Sequence, residues 1–133
     1  MKNRNIKFMG ILLVLACLAV SPAVATPGYF YFDGGWGYAM HSNVSGATHV
    51  GSLTLNRYGS YVTGAFAAFD RSNPFVDGSY DPITGTLTLS RDTGLETIQT
   101  FILRRVGGKL TGTFRNRGRY SDFGTIELWR MTL

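Results

Sequence analysis

Between residues 104 and 119 the chain carries Arg104, Arg105, Lys109, Arg115, Arg117 and Arg119 and not one acid. Six cations in so short a span can form a rim that holds anions: phosphate, a sulfated glycan, lipid headgroups or nucleic acid. They also suit a plainer purpose, a solvated outer face that keeps exposed strands soluble and blunts their pairing with other chains. Proteins that bind single-stranded nucleic acid interleave such cations with exposed aromatics on which bases stack. No aromatic ladder of that kind accompanies these six, so no specific nucleic acid partner is expected.

His41 and His49 flank the stretch SNVSGAT, and with Asp33 or Asp70 they have the atoms for a metal or acid–base site. Two histidines eight apart across a glycine-containing loop match no metal-ligand spacing, and no metal is expected. Ser42, Ser45 and Ser60 lack the G-x-S-x-G turn of a nucleophile elbow. Asp70, Asp77 and Asp81 lie in turn-like sequence rather than as paired carboxylates. The pattern assembles no catalytic group, and neither catalysis nor a cofactor is expected.

The elements that must position these residues begin after a leader. MKNRNIKF carries three cations and no acid, an apolar run follows, and SPAVAT supplies Ala23 and Ala25 at signal-peptidase spacing. The apolar run falls short of the roughly 20 residues a membrane helix needs. Residues 1–25 are therefore expected to be a cleaved signal, with residues 26–133 a single secreted or periplasmic domain. VLAC, ending at Cys17, offers lipidation as the alternative. Removing three cations from the thirteen Lys and Arg leaves ten against eight acids, a net of +2 rather than +5. That balance weakens any argument from overall basicity. Cys17 is the single cysteine, so the mature domain has neither a disulfide nor a thiolate site.

From residue 48 onward apolar and polar side chains alternate, with turn residues every eight to twelve positions, as sequential antiparallel strands require. The segments are GSLTLN, YVTGAFAAF, FVDGSY, GTLTLSR, QTFILRR, KLTGTFR and GTIELWR, and Trp36 to Met40 makes eight. DPITG, VGG, DRSNP and DTGL are turn-like connections, and RNRGR reads as another turn. No helical period is long enough to supply a parallel crossover. An eight-stranded meander removes its edges by closing, so the expected fold is all-β, an antiparallel up-and-down barrel. VTGAF, VDGSY and LTGTF share one spacing, an inward residue, then Gly, then an aromatic. Faint hairpin repeats or the sterics of closing a small barrel both explain it. In TPGYFYF the aromatics are either a sticky exposed patch or a plug for one barrel end.

Gly34-Gly35-Trp36 in the first strand, paired with Arg130 in the last, resembles the calycin superfamily, which includes lipocalins, fatty-acid-binding proteins and avidins. The resemblance implies that Trp36 closes one barrel end while the Arg130 guanidinium packs across its ring, with Gly34, Trp36 and Arg130 in structural roles. It also implies a small, partly apolar ligand at the open end. Phe66, Tyr80, Phe101 and Phe114 are the expected walls and Arg91 or Arg105 the polar anchor. Avidin-like sites use several tryptophans and this chain has two, which argues against biotin. The alternative is a filled barrel that binds a macromolecule, as an interaction or inhibitor protein, through its outer surface or loops; the six cations then meet an anionic surface.

Overall fold

The computed structural model describes residues 30–67 and 72–131. The expected signal at 1–25, Cys17 and Asp70 lie outside them. Eight strands close into an antiparallel barrel in chain order: β1 (Gly34–Ser42), β2 (Thr48–Tyr58), β3 (Tyr61–Phe66), β4 (Phe75–Asp81), β5 (Thr86–Asp92), β6 (Thr97–Val106), β7 (Lys109–Gly118) and β8 (Asp122–Arg130). The last strand returns to the first, with Trp36 opposite Arg130 and Met40 opposite Ile126.

The alternation in the sequence sorts side chains in and out. Leu87 and Leu89 of β5, Phe101 and Leu103 of β6, and Ile126 and Leu128 of β8 are buried while their neighbours face water. Turn chemistry fixes the register between strands. After β4 the Asp81 Oδ1 accepts a hydrogen bond from Ile83 N at 2.9 Å, and Gly85 takes a left-handed φ of 70°.

The recurrent glycines have one steric cause. A Cβ on Gly64 would run into the Thr54 carbonyl, one on Gly78 into the Thr88 carbonyl and one on Gly112 into the Ile102 carbonyl. None of the three has a positive φ, so space rather than backbone freedom demands glycine. Coiling in so small a barrel brings the neighbouring strand over the Cα at these points, and the aromatic two residues on refills the interior.

Two strand limits differ from the sequence expectation. RNRGR is not a turn: β7 continues through Arg115, Asn116 and Arg117 to Gly118, and pairs Asn116 with Asp122. β2 begins at Thr48, which places His49 in a strand opposite Met40 instead of in a loop. In β7 cross-strand pairing overrides the turn propensity of Asn116 and Gly118, and β2 extends back over the β-branched Thr48 and Val50 by pairing with β1.

Trp36 sits at one end of the barrel with no exposed surface. Its Nε1–H donates to the Phe32 carbonyl at 3.0 Å, and the Arg130 guanidinium lies 5.0 Å from its ring centroid. Arg130 also donates to the Tyr31, Phe32 and Asp33 carbonyls, which holds the lead-in chain across the opening. The lead-in aromatics divide: Phe32 is buried edge-on against Tyr80 at 4.7 Å, with Phe30 beside it, while Tyr31 faces out. Gly34, φ 128°, makes the turn from this plug into β1.

Candidate functional site at the barrel mouth

Strand direction decides which inward residues meet. β3 and β5 run away from the Trp36 end and β4 and β6 run back towards it. Phe66 and Arg91, late in β3 and β5, therefore rise to the mouth together with Phe101 and Phe114. Tyr80 and Arg105, late in β4 and β6, descend to the closed end. There Tyr80 packs on Phe32, and the Arg105 guanidinium lies 4.9 Å from the Phe30 ring centroid. Of the six expected ligand residues, the structure brings four together and places these two in the plug. Alternation reports the face of a strand but not the height along the barrel.

Below the mouth the interior is filled by buried apolar side chains such as Leu55, Val62, Leu87, Leu103 and Leu110. Towards the mouth its chemistry changes. Phe66 stacks at a tilt on Phe101, 5.8 Å between centroids, and meets Tyr38 edge-on at 5.2 Å. Over this aromatic floor lies Arg91, only 5% exposed, with its guanidinium 5.3 Å from the Phe66 centroid. Arg91 Nε donates to Gln99 Oε1 at 3.0 Å, and Nη1 donates to the Asn73 carbonyl at 2.8 Å and to Ser72 Oγ at 3.4 Å. These bonds tie β5 to β6 and to the segment that leads into β4.

Beside this cluster is a cavity of about 180 Å3. Met40 and Phe114 supply its apolar side; Ser42, Gln99, Asn116 and Asp122 supply polar atoms, and His49 stands at its edge. Ser42 Oγ donates to Asp122 Oδ1 at 2.7 Å and accepts from Val44 N and Ser45 N at 3.1 and 3.0 Å, so the β1–β2 loop is anchored to β8. Asn116 Oδ1 is buried and accepts no hydrogen bond among the described residues. Tyr80 Oη shares that condition at the closed end. An orphaned acceptor of this kind costs about 1–3 kcal/mol.

The position of these polar residues follows a signal that the sequence carries. Arg91 is two beyond Leu89, Gln99 two before Phe101, Asn116 two beyond Phe114 and Asp122 two before Gly124. The period of two that puts the apolar residues inside puts these inside as well. Gln99, Asn116, Asp122 and Ser42 share the inward parity without the hydrophobicity that marks the rest of the interior.

The other candidate groups scatter. His41 turns to the outer face and bonds Thr48 Oγ1 through Nδ1 at 3.0 Å, while His49 lines the mouth 6.0 Å from the Tyr38 ring, so the histidines do not converge. Among the described residues, no three His, Cys, Asp or Glu side chains gather as a metal site. Asp33 Oδ1 accepts from Arg57 N at 2.9 Å, and Asp77 Oδ2 accepts from Tyr61 Oη at 3.2 Å. The six cations split too: Arg105 joins the plug, Lys109 pairs with Glu127 at 3.2 Å, and Arg119 lies 3.9 Å from Glu96.

Burial raises the Tyr38 pKa above the ordinary 10.0, against a smaller opposing effect of the Arg91 charge, and burial lowers that of Arg91. For Tyr38 the folded value exceeds the unfolded one, so its contribution to stability is full below pH 10 and is lost as pH rises through the folded pKa. Tyr61 shifts the same way through its hydrogen bond to Asp77. Urea unfolding is expected to show a midpoint that drops above pH 10, with a shallower drop in Tyr38→Phe. An equally steep drop in that variant removes Tyr38 as the cause.

Comparison of the chain with protein-family models, with curated proteins and with solved structures gives no match. The geometry of the mouth carries the functional argument.

Proposed function

We propose a secreted or periplasmic, non-catalytic binding protein of calycin-like kind that holds a small, partly apolar ligand in the barrel mouth. The observation that carries this reading is the buried, unpartnered Asn116 Oδ1, an inward polar atom on the wall of a cavity with an apolar side. A barrel needing only stability would fill that position with an aliphatic side chain. The Trp36–Arg130 contact between the first and last strands supports the calycin-like part of the reading.

Size and chemistry narrow the ligand. Sites for drug-sized molecules occupy roughly 300–1,000 Å3, and a cavity of about 180 Å3 takes something smaller. Met40 and Phe114 pack against its apolar part, and an O–H or N–H group satisfies Asn116 Oδ1.

Calorimetric titration with a panel of small alcohols, phenols and amides tests this. Saturable binding is expected, with a rise in melting temperature at ligand excess. Asn116→Leu is expected to weaken that binding about tenfold, the worth of one hydrogen bond. It also removes the orphaned acceptor, so its melting temperature is expected to match or exceed that of the unaltered chain. Arg105→Gln, at the closed end, leaves the affinity unchanged. A panel with no binder, or an Asn116→Leu variant that binds as the parent does, overturns the reading.

A further inference from the structure

The outer wall of β6, β7 and β8 carries a concavity of about 320 Å3, lined mostly by outward-facing side chains, with the inward-facing Phe114 reaching it beside Gly124. Its floor is formed by short side chains on three adjacent strands, with Thr113 paired to Thr125 across β7–β8 and Thr100 one row nearer the mouth. Longer residues stand around it: Ile102, Phe123, Arg115 and Arg117, with Asn43 closing one side. Ile102 is 51% exposed and Phe123 43%, so apolar surface is left open beside the cations. The Arg115 guanidinium lies 5.6 Å from the Phe123 ring centroid, which presents cation and ring as one unit.

Two of the cations there are available. Among the described residues the ion pairs engage Lys109 and Arg119, and neither Arg115 nor Arg117 meets a carboxylate. Arginines that serve only solubility need no groove between them. These two line a depression whose floor is hydroxyl-bearing and whose rim is aromatic.

The shape and chemistry choose among anionic partners. A bilayer presents a plane of phosphate headgroups, which meets Arg115 and Arg117 but offers nothing shaped to the concavity beside them. An acidic peptide that adds a strand needs a free sheet edge, and the closed barrel has none; one held by its carboxylates alone meets Arg115 and Arg117 but leaves the threonine hydroxyls and the Phe123 face without partners. A sugar chain uses every part: ring C–H faces against Phe123 and Ile102, hydroxyls against Thr100, Thr113, Thr125 and Asn43, and acidic groups in bidentate contact with arginine. We propose that this groove binds a short stretch of a linear acidic polysaccharide, with carboxylate or sulfate groups held by Arg115 and Arg117. The arginines and threonines of this groove take no part in the mouth cavity, although Phe114 lines both.

Calorimetry with two probes, a galacturonic acid tetramer and a heparin-derived tetrasaccharide, tests it against maltotetraose, inorganic sulfate and phosphatidylglycerol vesicles. At least one acidic tetrasaccharide is expected to bind saturably and the neutral one not at all. Arg115→Gln and Arg117→Gln are each expected to weaken that binding about tenfold and to reduce its salt dependence. Phe123→Ser weakens it with the salt dependence retained. All three positions are on the outer wall, and unchanged melting curves confirm that the variants are folded. Asn116→Leu leaves glycan affinity as it was, which separates this site from the mouth. Failure of both acidic probes, equal binding by the arginine variants, or binding of vesicles or free sulfate in place of the oligosaccharides overturns the proposal.

Discussion

Trp36→Ala is expected to lower the melting temperature by roughly 15–30 °C, because truncating a buried tryptophan costs about 3–5 kcal/mol and a domain of this size loses several degrees for each. Three terms disappear together. The indole fills the end of the core without any exposed surface, its N–H satisfies the Phe32 carbonyl, and its face holds the Arg130 guanidinium. The loss spreads because Arg130 also fixes the Tyr31–Asp33 carbonyls; once its cation–π partner is gone, the plug of Phe30 and Phe32 loosens. Arg130→Gln removes the cation–π contact, about 0.5–2 kcal/mol, and some of the carbonyl bonds but leaves the indole in the core, and is expected to cost less. Thermal unfolding followed by circular dichroism measures both. An equally stable Trp36→Ala variant means that the lead-in chain closes the barrel without the indole.

Gly112→Ala, a change of one methyl group, is expected to cost about 3 kcal/mol, the upper end of what overpacking usually costs. The added carbon meets the Ile102 carbonyl, its partner strand's backbone, and not the free end of a side chain. Relief requires β6 and β7 to separate locally, which strains the ladder around Leu103 and Gly112. Gly108→Ala supplies the comparison: an added Cβ there meets nothing within 4 Å, its φ is not in the left-handed region, and little change in stability is expected. The two substitutions are chemically identical and four residues apart, so urea midpoints for the pair isolate the effect of space. Equal midpoints discard the account of why VTGAF, VDGSY and LTGTF share their glycine.

The strand count and the closed meander were legible because a period of two extends over most of the chain and because the connections carry Pro, Gly and Asp where turns need them. The limits of β2 and β7 were hidden. RNRG has the composition of a loop and Thr48 to Val50 follow one, and pairing with β8 and β1 makes strands of both. The mouth was half legible. Phe66, Arg91, Phe101 and Phe114 were accessible from the inward parity, whereas Tyr80 and Arg105 obey the same parity but lie on strands that run the other way. Asn116 and Asp122 were obscured by the expected turn at RNRGR; with that stretch read as strand, parity alone turns both inward. The outer groove was not legible, since Ile102, Thr113, Arg115 and Phe123 belong to three strands and become neighbours only through their register.

The joint between the first and last strands also sets the order of assembly. β8 supplies both the partner for β1 and the arginine that secures the plug, so the ring closes only after the final strand has been delivered. Until then β1 and β7 each present a row of unpaired backbone groups, which invite pairing with other chains, and the closing step must bring together residues from opposite ends of the domain, a slow kind of contact to form. A fragment that stops short of Asp122 is therefore expected to aggregate rather than survive as a seven-stranded remnant, and the barrel to close only once β8 has been made.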